Sequence, residues 1–241
     1  MLESTSLIVP IKKHAELLDS GLQYLFENLK ETPEVSFNII VVDDGSEEEE
    51  EIYLICKKFN ATYIRHEVNL GKGASICTGV RNCNTEYFVY TDCDFPFFFT
   101  DLKNILKSLE SFSISIGDRY KERKSTSSVS LHRKIASSVF RLLTSIILGL
   151  EGVDNQCGLK GFKTRIAKDL FNDMVCSRYA FDAELLYRAS HFNILVDSVP
   201  VRLRYNGEST LSIYADAPKM LIDLVKIRFL SLRKFSLKLD E

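Results

Sequence analysis

The stretch ending at Gly117 constrains the fold most, because apolar strand-like runs alternate there with amphipathic segments at regular intervals. The run Phe37-Asn38-Ile39-Ile40-Val41-Val42 combines β-branched residues with an aromatic and lacks clean alternation, as in a strand buried on both faces of a parallel sheet. Similar strands are predicted over 6–10, 61–65, 87–91 and 113–117, separated by helices over 15–27, 47–59, 72–81 and 101–109. Alternation of this kind requires right-handed crossovers, so the expectation is an α/β fold with a mainly parallel, doubly wound sheet flanked by helices. Residues 121–128 are polar and charged and read as a loop. Beyond them the pattern predicts a helix over 132–148, a strand near 158–163, helices over 165–174 and 181–191, a strand over 195–203 and a last helix from Pro218.

At 241 residues and 45% hydrophobic content, residues 1–241 suit a single domain. Net charge is −2, so no basic field draws the chain to nucleic acid, and none is expected as a partner. The six cysteines form no Cys-x-x-Cys pair, and Glu3 interrupts the apolar residues where a secretory leader would lie. Both observations predict reduced thiols in a cytoplasmic protein. Four scattered histidines give no metal-ligand spacing. The best candidate span, 142–150, has nine residues, against the roughly 20 that a bilayer requires.

Two of the predicted strands end on carboxylates. Asp92-Cys93-Asp94 follows the apolar run Tyr87-Phe88-Val89-Tyr90. Carboxylates spaced i, i+2 at a strand end can hold a hard divalent cation from one side, leaving its other positions for water and phosphate oxygens; they can also simply bond local turn amides. The strand ending at Val42 continues into Asp43-Asp44-Gly45-Ser46. Ligands of open α/β sheets sit at the carboxyl ends of strands, which argues for one shared polar site, while Asp44 or Ser46 could equally cap the next helix. A third element, Asn69-Leu70-Gly71-Lys72-Gly73-Ala74, opens a helix. Its glycines, free amides and lysine make either an anion site or a tight turn with a solvated lysine. Neither the P-loop spacing nor Gly-x-Gly-x-x-Gly is present, which weighs against Walker-type and dinucleotide binding.

In this order the motifs resemble the family 2 glycosyltransferases of GT-A fold. Within that family they look like the branch that makes polyprenyl-phosphate sugars, which includes the dolichyl-phosphate β-glucosyltransferases and mannose synthases. Further segments carry the likeness: Val9-Pro10, Gly117-Asp118-Arg119-Tyr120, Asp154-Asn155-Gln156-Cys157-Gly158-Leu159-Lys160, Phe181-Asp182-Ala183-Glu184-Leu185-Leu186 and Val199-Pro200-Val201. The Gln-Cys-Gly-x-Lys and Phe-Asp-x-Glu-Leu-Leu segments are similar to the glucosyltransferases, so UDP-glucose is the favoured donor. The resemblance implies that Pro10, Asp43, Asp44, Lys72 and Asp92 bind the nucleotide sugar, that Asp92 and Asp94 carry Mg2+ or Mn2+, and that transfer inverts the anomeric carbon. It also implies that Arg119, Arg133 and Ser137 face the acceptor phosphate, dividing the chain into a nucleotide-sugar-binding half, 1–117, and an acceptor half, 118–212. There are two departures. Val9-Pro10-Ile11-Lys12-Lys13-His14 lacks the family's tyrosine and glutamate, leaving the donor base open, and Gly207-Glu208-Ser209-Thr210 lacks its lysine, for which Arg202 or Arg204 could substitute.

A polyprenyl phosphate acceptor is largely ionised at neutral pH, its second pKa lying at about 6, so it needs no strong base. A glycan hydroxyl would need one, with Asp182 the first candidate and Asp154 the second. The favoured function is therefore hexose transfer to a polyprenyl phosphate at the cytoplasmic face of a membrane. Transfer to a glycan hydroxyl and a non-catalytic nucleotide-sugar-binding role are the alternatives. Residues 218–239 form an amphipathic helix in this reading, with Leu221, Leu224, Val225, Phe229, Leu232 and Phe235 on one face and Lys219, Lys226, Arg233 and Lys234 on the other. Such a helix suits peripheral membrane contact, the protein's own core or the interface of a homo-oligomer.

Overall fold

The structure, a computed structural model, describes residues 5–121, 131–152, 154–178, 180–205 and 213–230. Seven strands share one sheet: β1 (Thr5–Ile11), β2 (Asn38–Asp43), β3 (Thr62–Arg65), β4 (Tyr87–Tyr90), β5 (Ile114–Asp118), β6 (Lys160–Lys163) and β7 (Val196–Pro200). Their order is β3-β2-β1-β4-β6-β5-β7. The helices are α1 (Ala15–Lys30), α2 (Glu49–Lys58), α3 (Lys72–Arg81), α4 (Phe99–Ser108), α5 (Leu131–Leu148), α6 (Thr164–Phe171), α7 (Phe181–His191) and α8 (Ile213–Leu230).

The chain moves outward from β1 through β2 to β3, then returns to place β4 on the other side of β1. That reversal opens a crevice beyond the carboxyl ends of β1 and β4, where open α/β sheets bind their ligands. Both faces of the sheet are covered. Leu7, Val9 and Ile11 of β1 pack with Leu18 and Leu22 of α1, Ile52 of α2 and Ile105 of α4, whereas Ile8 points to the side covered by α3, α5, α6, α7 and α8. Burial of successive β1 residues on opposite faces explains the unbroken apolar runs in the sequence.

Among the described strands only β6 runs antiparallel, to β4 on one side and β5 on the other. Phe162 of β6 sits opposite Phe88 of β4, and their rings stack at 5.1 Å with Phe171 edge-on to both. Cross-strand aromatic pairs of this kind fix register. The antiparallel direction has a functional consequence, because the amino end of β6 opens on the crevice and brings the preceding loop, 154–159, into it.

The last helix differs from the sequence expectation. It starts at Ile213, upstream of Pro218, and its described part ends at Leu230. Met220, Leu224 and Ile227 are buried against α5 and α7, while Leu221, Val225 and Phe229 of the expected apolar face are exposed. Docking therefore takes Leu224 of the expected face together with Met220 and Ile227 and leaves the rest of that face exposed. Leu232, Arg233, Lys234 and Phe235 lie outside the described residues. No helix among the described residues is long and apolar enough to cross a membrane. All six cysteines are free.

Candidate active site

The two carboxylates at the end of β2 are fully engaged by the protein. Asp43 is buried and accepts hydrogen bonds from the Ser46 amide at 2.8 Å, the Tyr63 hydroxyl at 2.8 Å and Arg65 Nη1 at 2.6 Å. Asp44 Oδ1 accepts the Leu70 amide at 2.9 Å and lies 2.9 Å from His66 Nδ1, and Oδ2 accepts the Gly71 amide at 2.8 Å. Asp44 thereby fixes the turn that starts α3. Gly71 adopts φ +102°, a conformation that L side chains rarely adopt, so glycine is required there.

That turn delivers Lys72, whose Nζ lies 2.5 Å from Asp92 Oδ1. Burial works against the lysine charge, but Asp92 and Asp182 outweigh it and raise the ammonium to about 12. Asp94, two residues on, has its carboxyl raised above the ordinary range, first by burial and then by the neighbouring charge of Asp92. Two hard oxygen donors that repel each other suit a divalent cation. Among the described residues no third His, Cys, Asp or Glu completes a cluster with them, so a cation on this pair would fill its sphere from water and substrate oxygens. Pro10, near the end of β1 and opposite Val42, is buried at the same crevice.

The loop before β6 closes the other side. A Cβ on Gly158 would stand 2.3 Å from Asp92 Oδ2, so only glycine lets the loop lie directly against that carboxylate. Asp154, on the same loop, is buried and holds Arg119 through two side-chain bonds, Nε to Oδ2 at 2.7 Å and Nη2 to Oδ1 at 2.9 Å, while the Arg119 amide donates to Oδ2 at 3.2 Å. Burial pushes the Asp154 carboxyl up, but the bonds to Arg119 prevail and hold it below its usual range. Asp182, at the start of α7, accepts the Tyr90 hydroxyl and Lys160 Nζ, the latter at 2.6 Å, on one oxygen. The Lys160 ammonium is inaccessible to solvent and also donates to the Cys157 and Asn155 carbonyls at 2.6 and 3.2 Å.

The crevice thus brings together Lys72, Asp92 and Asp182 directly, with Arg119 and Asp154 linked to them through the 154–159 loop. The side chains of Arg133 and Ser137, and Gly207 to Thr210, lie outside the described residues. Arg202 and Arg204 brace the turn after Asp94: Arg204 donates to the Phe95 carbonyl at 3.0 Å and stacks on Tyr24 at 3.3 Å, and the Arg202 amide donates to Asp101 at 2.8 Å. Sequence reasoning assigned no role to Lys160. The signal was present, since a lysine between Leu159 and Gly161-Phe162 in a strand is buried, and a buried ammonium demands a counter-charge.

Residues 6–171 match the model of the family described as Glycosyl transferase family 2. The chain belongs to that family. It is a glycosyltransferase of GT-A fold, as its motifs indicated. The glycosyltransferase is 32% identical over 238 residues to a dolichyl-phosphate beta-glucosyltransferase of Trichomonas vaginalis, covering 92% of this chain and 70% of the relative. To the human dolichyl-phosphate beta-glucosyltransferase it is 29% identical over 214 residues, covering 81% of this chain but 66% of the relative. Among solved structures, glucosyl-3-phosphoglycerate synthase of Mycobacterium tuberculosis in complex with Mn2+, UDP-glucose and phosphoglyceric acid superposes with a TM-score of 0.66 at 15% identity, over 94% of this chain and 79% of that one.

Proposed function

We propose that this glycosyltransferase moves glucose from UDP-glucose to a polyprenyl phosphate, with inversion, at the cytoplasmic face of a membrane. The names of the sequence relatives favour this acceptor, and one structural observation carries it. The two carboxylates that a hydroxyl acceptor would require as a base are both engaged as counter-ions, Asp182 to Lys160 and Asp154 to Arg119. Neutralising Asp182 would leave the buried Lys160 ammonium without its partner, and neutralising Asp154 would do the same to the partly buried Arg119, the costly half of each pair. An ionised phosphate monoester needs no base, only positioning by cations.

In this mechanism an acceptor phosphate oxygen attacks C1 of the glucose from the face opposite the diphosphate. The C1–O bond to UDP breaks and UDP departs with the electron pair. Asp92 and Asp94 are the residues that would hold Mg2+ or Mn2+, which would neutralise charge on the departing diphosphate. Lys72 stands at the same edge of the crevice to meet the phosphates, its place set by Asp44 through the Gly71 amide. Gly158 lets the acceptor loop touch Asp92, so donor and acceptor are held against one carboxylate.

A lipid acceptor requires an approach to the bilayer. Val139, Leu142 and Ile146 on α5 and Leu221, Val225 and Phe229 on α8 are exposed on two helices that pack together. Lys219 and Lys226 lie exposed on α8 near them. This apolar surface with basic residues is the side we assign to the anionic membrane interface. The reading is tested by incubating the protein with radiolabelled UDP-glucose, GDP-mannose or other nucleotide sugars, together with farnesyl phosphate, with and without EDTA. Metal-dependent label in the lipid phase from UDP-glucose supports it, and label released only as free sugar or found on a glycan hydroxyl overturns it.

A further inference from the structure

The charge of Arg119 is already balanced by Asp154, so the acceptor end of the crevice needs another cation to attract a phosphate dianion. Arg141, on α5, provides one. Its guanidinium lies 3.9 Å from the centroid of the Tyr120 ring, and that of Arg119 lies 5.9 Å from the same centroid. Tyr120 is itself anchored, its amide donating to Asp118 Oδ1 at 2.8 Å. Among the described residues no carboxylate lies within ion-pair distance of Arg141. A flat guanidinium fixed on a ring, beside a second guanidinium and with no counter-ion among the described residues, is arranged to receive a bidentate oxyanion.

We infer that Arg141, seated on Tyr120 beside Arg119, binds the phosphate of the acceptor lipid. The inference rests on the polyprenyl-phosphate reading above and names a residue for it. The surroundings select a lipid phosphate over a free one. Leu142 follows Arg141 directly and forms with Val139 and Ile146 an exposed stripe at i, i+3 and i+7 of α5, with Ile146 71% exposed. An anionic head on Arg141 and Arg119 leaves an isoprenoid tail against that stripe.

The test compares the parent with Arg141→Gln, Arg141→Lys and Tyr120→Leu. Steady-state kinetics are measured with farnesyl phosphate and, separately, with 3-phosphoglycerate as a phosphate monoester that lacks the tail. Calorimetry measures UDP-glucose binding. Loss of a charge-assisted bond to phosphate predicts a KM for farnesyl phosphate about tenfold to a hundredfold higher in Arg141→Gln, with UDP-glucose affinity unchanged. Arg141→Lys keeps the charge but not the stacked plane and recovers part of the loss. Tyr120→Leu keeps the charge and loosens its seat, so it raises the same KM by less, and this second variant decides the matter if Arg141→Gln is unstable. An Arg141→Gln enzyme with the parent's KM for farnesyl phosphate, or one weakened equally toward donor and acceptor, overturns the assignment of Arg141 alone. A parent that glucosylates 3-phosphoglycerate but not farnesyl phosphate overturns the lipid reading and this site with it.

Discussion

Gly158→Ala is the sharpest probe of the crevice, because its effect is worked from one distance. The new Cβ would stand 2.3 Å from Asp92 Oδ2, whereas ordinary contact begins at 3.4 Å, so the carboxylate or the loop must yield. The carboxylate yields more easily, since the Asp92 side chain is 40% exposed and hangs from a strand end. The required shift is about 1 Å, and a displacement of about 1 Å at a reacting centre costs on the order of a hundredfold in rate, or about 2.7 kcal/mol of barrier. Stability should change little, with a Tm decrease of no more than about 4 °C, the equivalent of roughly 1 kcal/mol for a chain of this size. The assay is kcat for glucose transfer to farnesyl phosphate at saturating UDP-glucose across a Mn2+ titration, alongside thermal melts. We expect kcat to fall and half-activation by Mn2+ to move to higher concentration. A well-folded Gly158→Ala enzyme with the parent's kcat and Mn2+ dependence would refute the idea that the acceptor loop holds Asp92 in its working position.

Three further outcomes follow from the same contacts. Asp94→Asn should abolish transfer yet raise Tm at pH 7: its carboxyl is raised in the folded protein by burial and Asp92, so the ionised form costs stability. That gain should shrink as pH falls from 7 and the parent's raised carboxyl takes up its proton in the folded state, and it should be gone below the ordinary aspartate pKa of about 3.9; a variant less stable than the parent at pH 7 counts against this electrostatic account. Lys160→Met should destabilise by about 3–5 kcal/mol in urea unfolding because it strands Asp182, and adding Asp182→Asn should recover much of the loss; strictly additive losses would contradict the pairing. Glutamate at both Ile146 and Phe229 should reduce co-sedimentation with anionic liposomes without changing Tm, and unchanged sedimentation would remove the membrane assignment from that surface.

The fold up to β5 was legible because unbroken apolar runs alternate there with amphipathic segments at regular intervals. α3 matches its predicted bounds, and the ends of β2 and β4 place their carboxylates as the apolar runs foretold. β6 was legible as a strand but not in its direction: Lys160-Gly161-Phe162-Lys163 carries two lysines and no alternation, and its antiparallel pairing comes from Phe162 meeting Phe88 across the sheet. The docked face of α8 was legible only in part: Leu224 of the expected apolar face is buried, but Met220 and Ile227 dock with it while Leu221, Val225 and Phe229 stay exposed, and only the neighbouring helices choose among apolar positions at the same helical period. Asp43 and Asp44 illustrate a different limit. Their position at a strand end is written in the sequence, but their bonds to Arg65, His66 and the Leu70 and Gly71 amides depend on β3 and the turn after it arriving beside them.

In the proposed reaction the reversed direction of β6 separates what the enzyme takes from what it modifies. Parallel strands present their exits to the crevice, and each exit is tied to the helix that follows, so a change there disturbs the sheet. β6 presents its entrance instead, and the chain reaches it from α5 across Gly149 and Gly152, two glycines at positive φ around which the space is open. Residues inserted in that approach would remodel the 154–159 side of the crevice, where the proposed acceptor sits, while the Phe88–Phe162 stack kept β4 and β6 in register. One scaffold could in this way acquire new acceptors over evolutionary time while its treatment of the sugar donor stayed fixed.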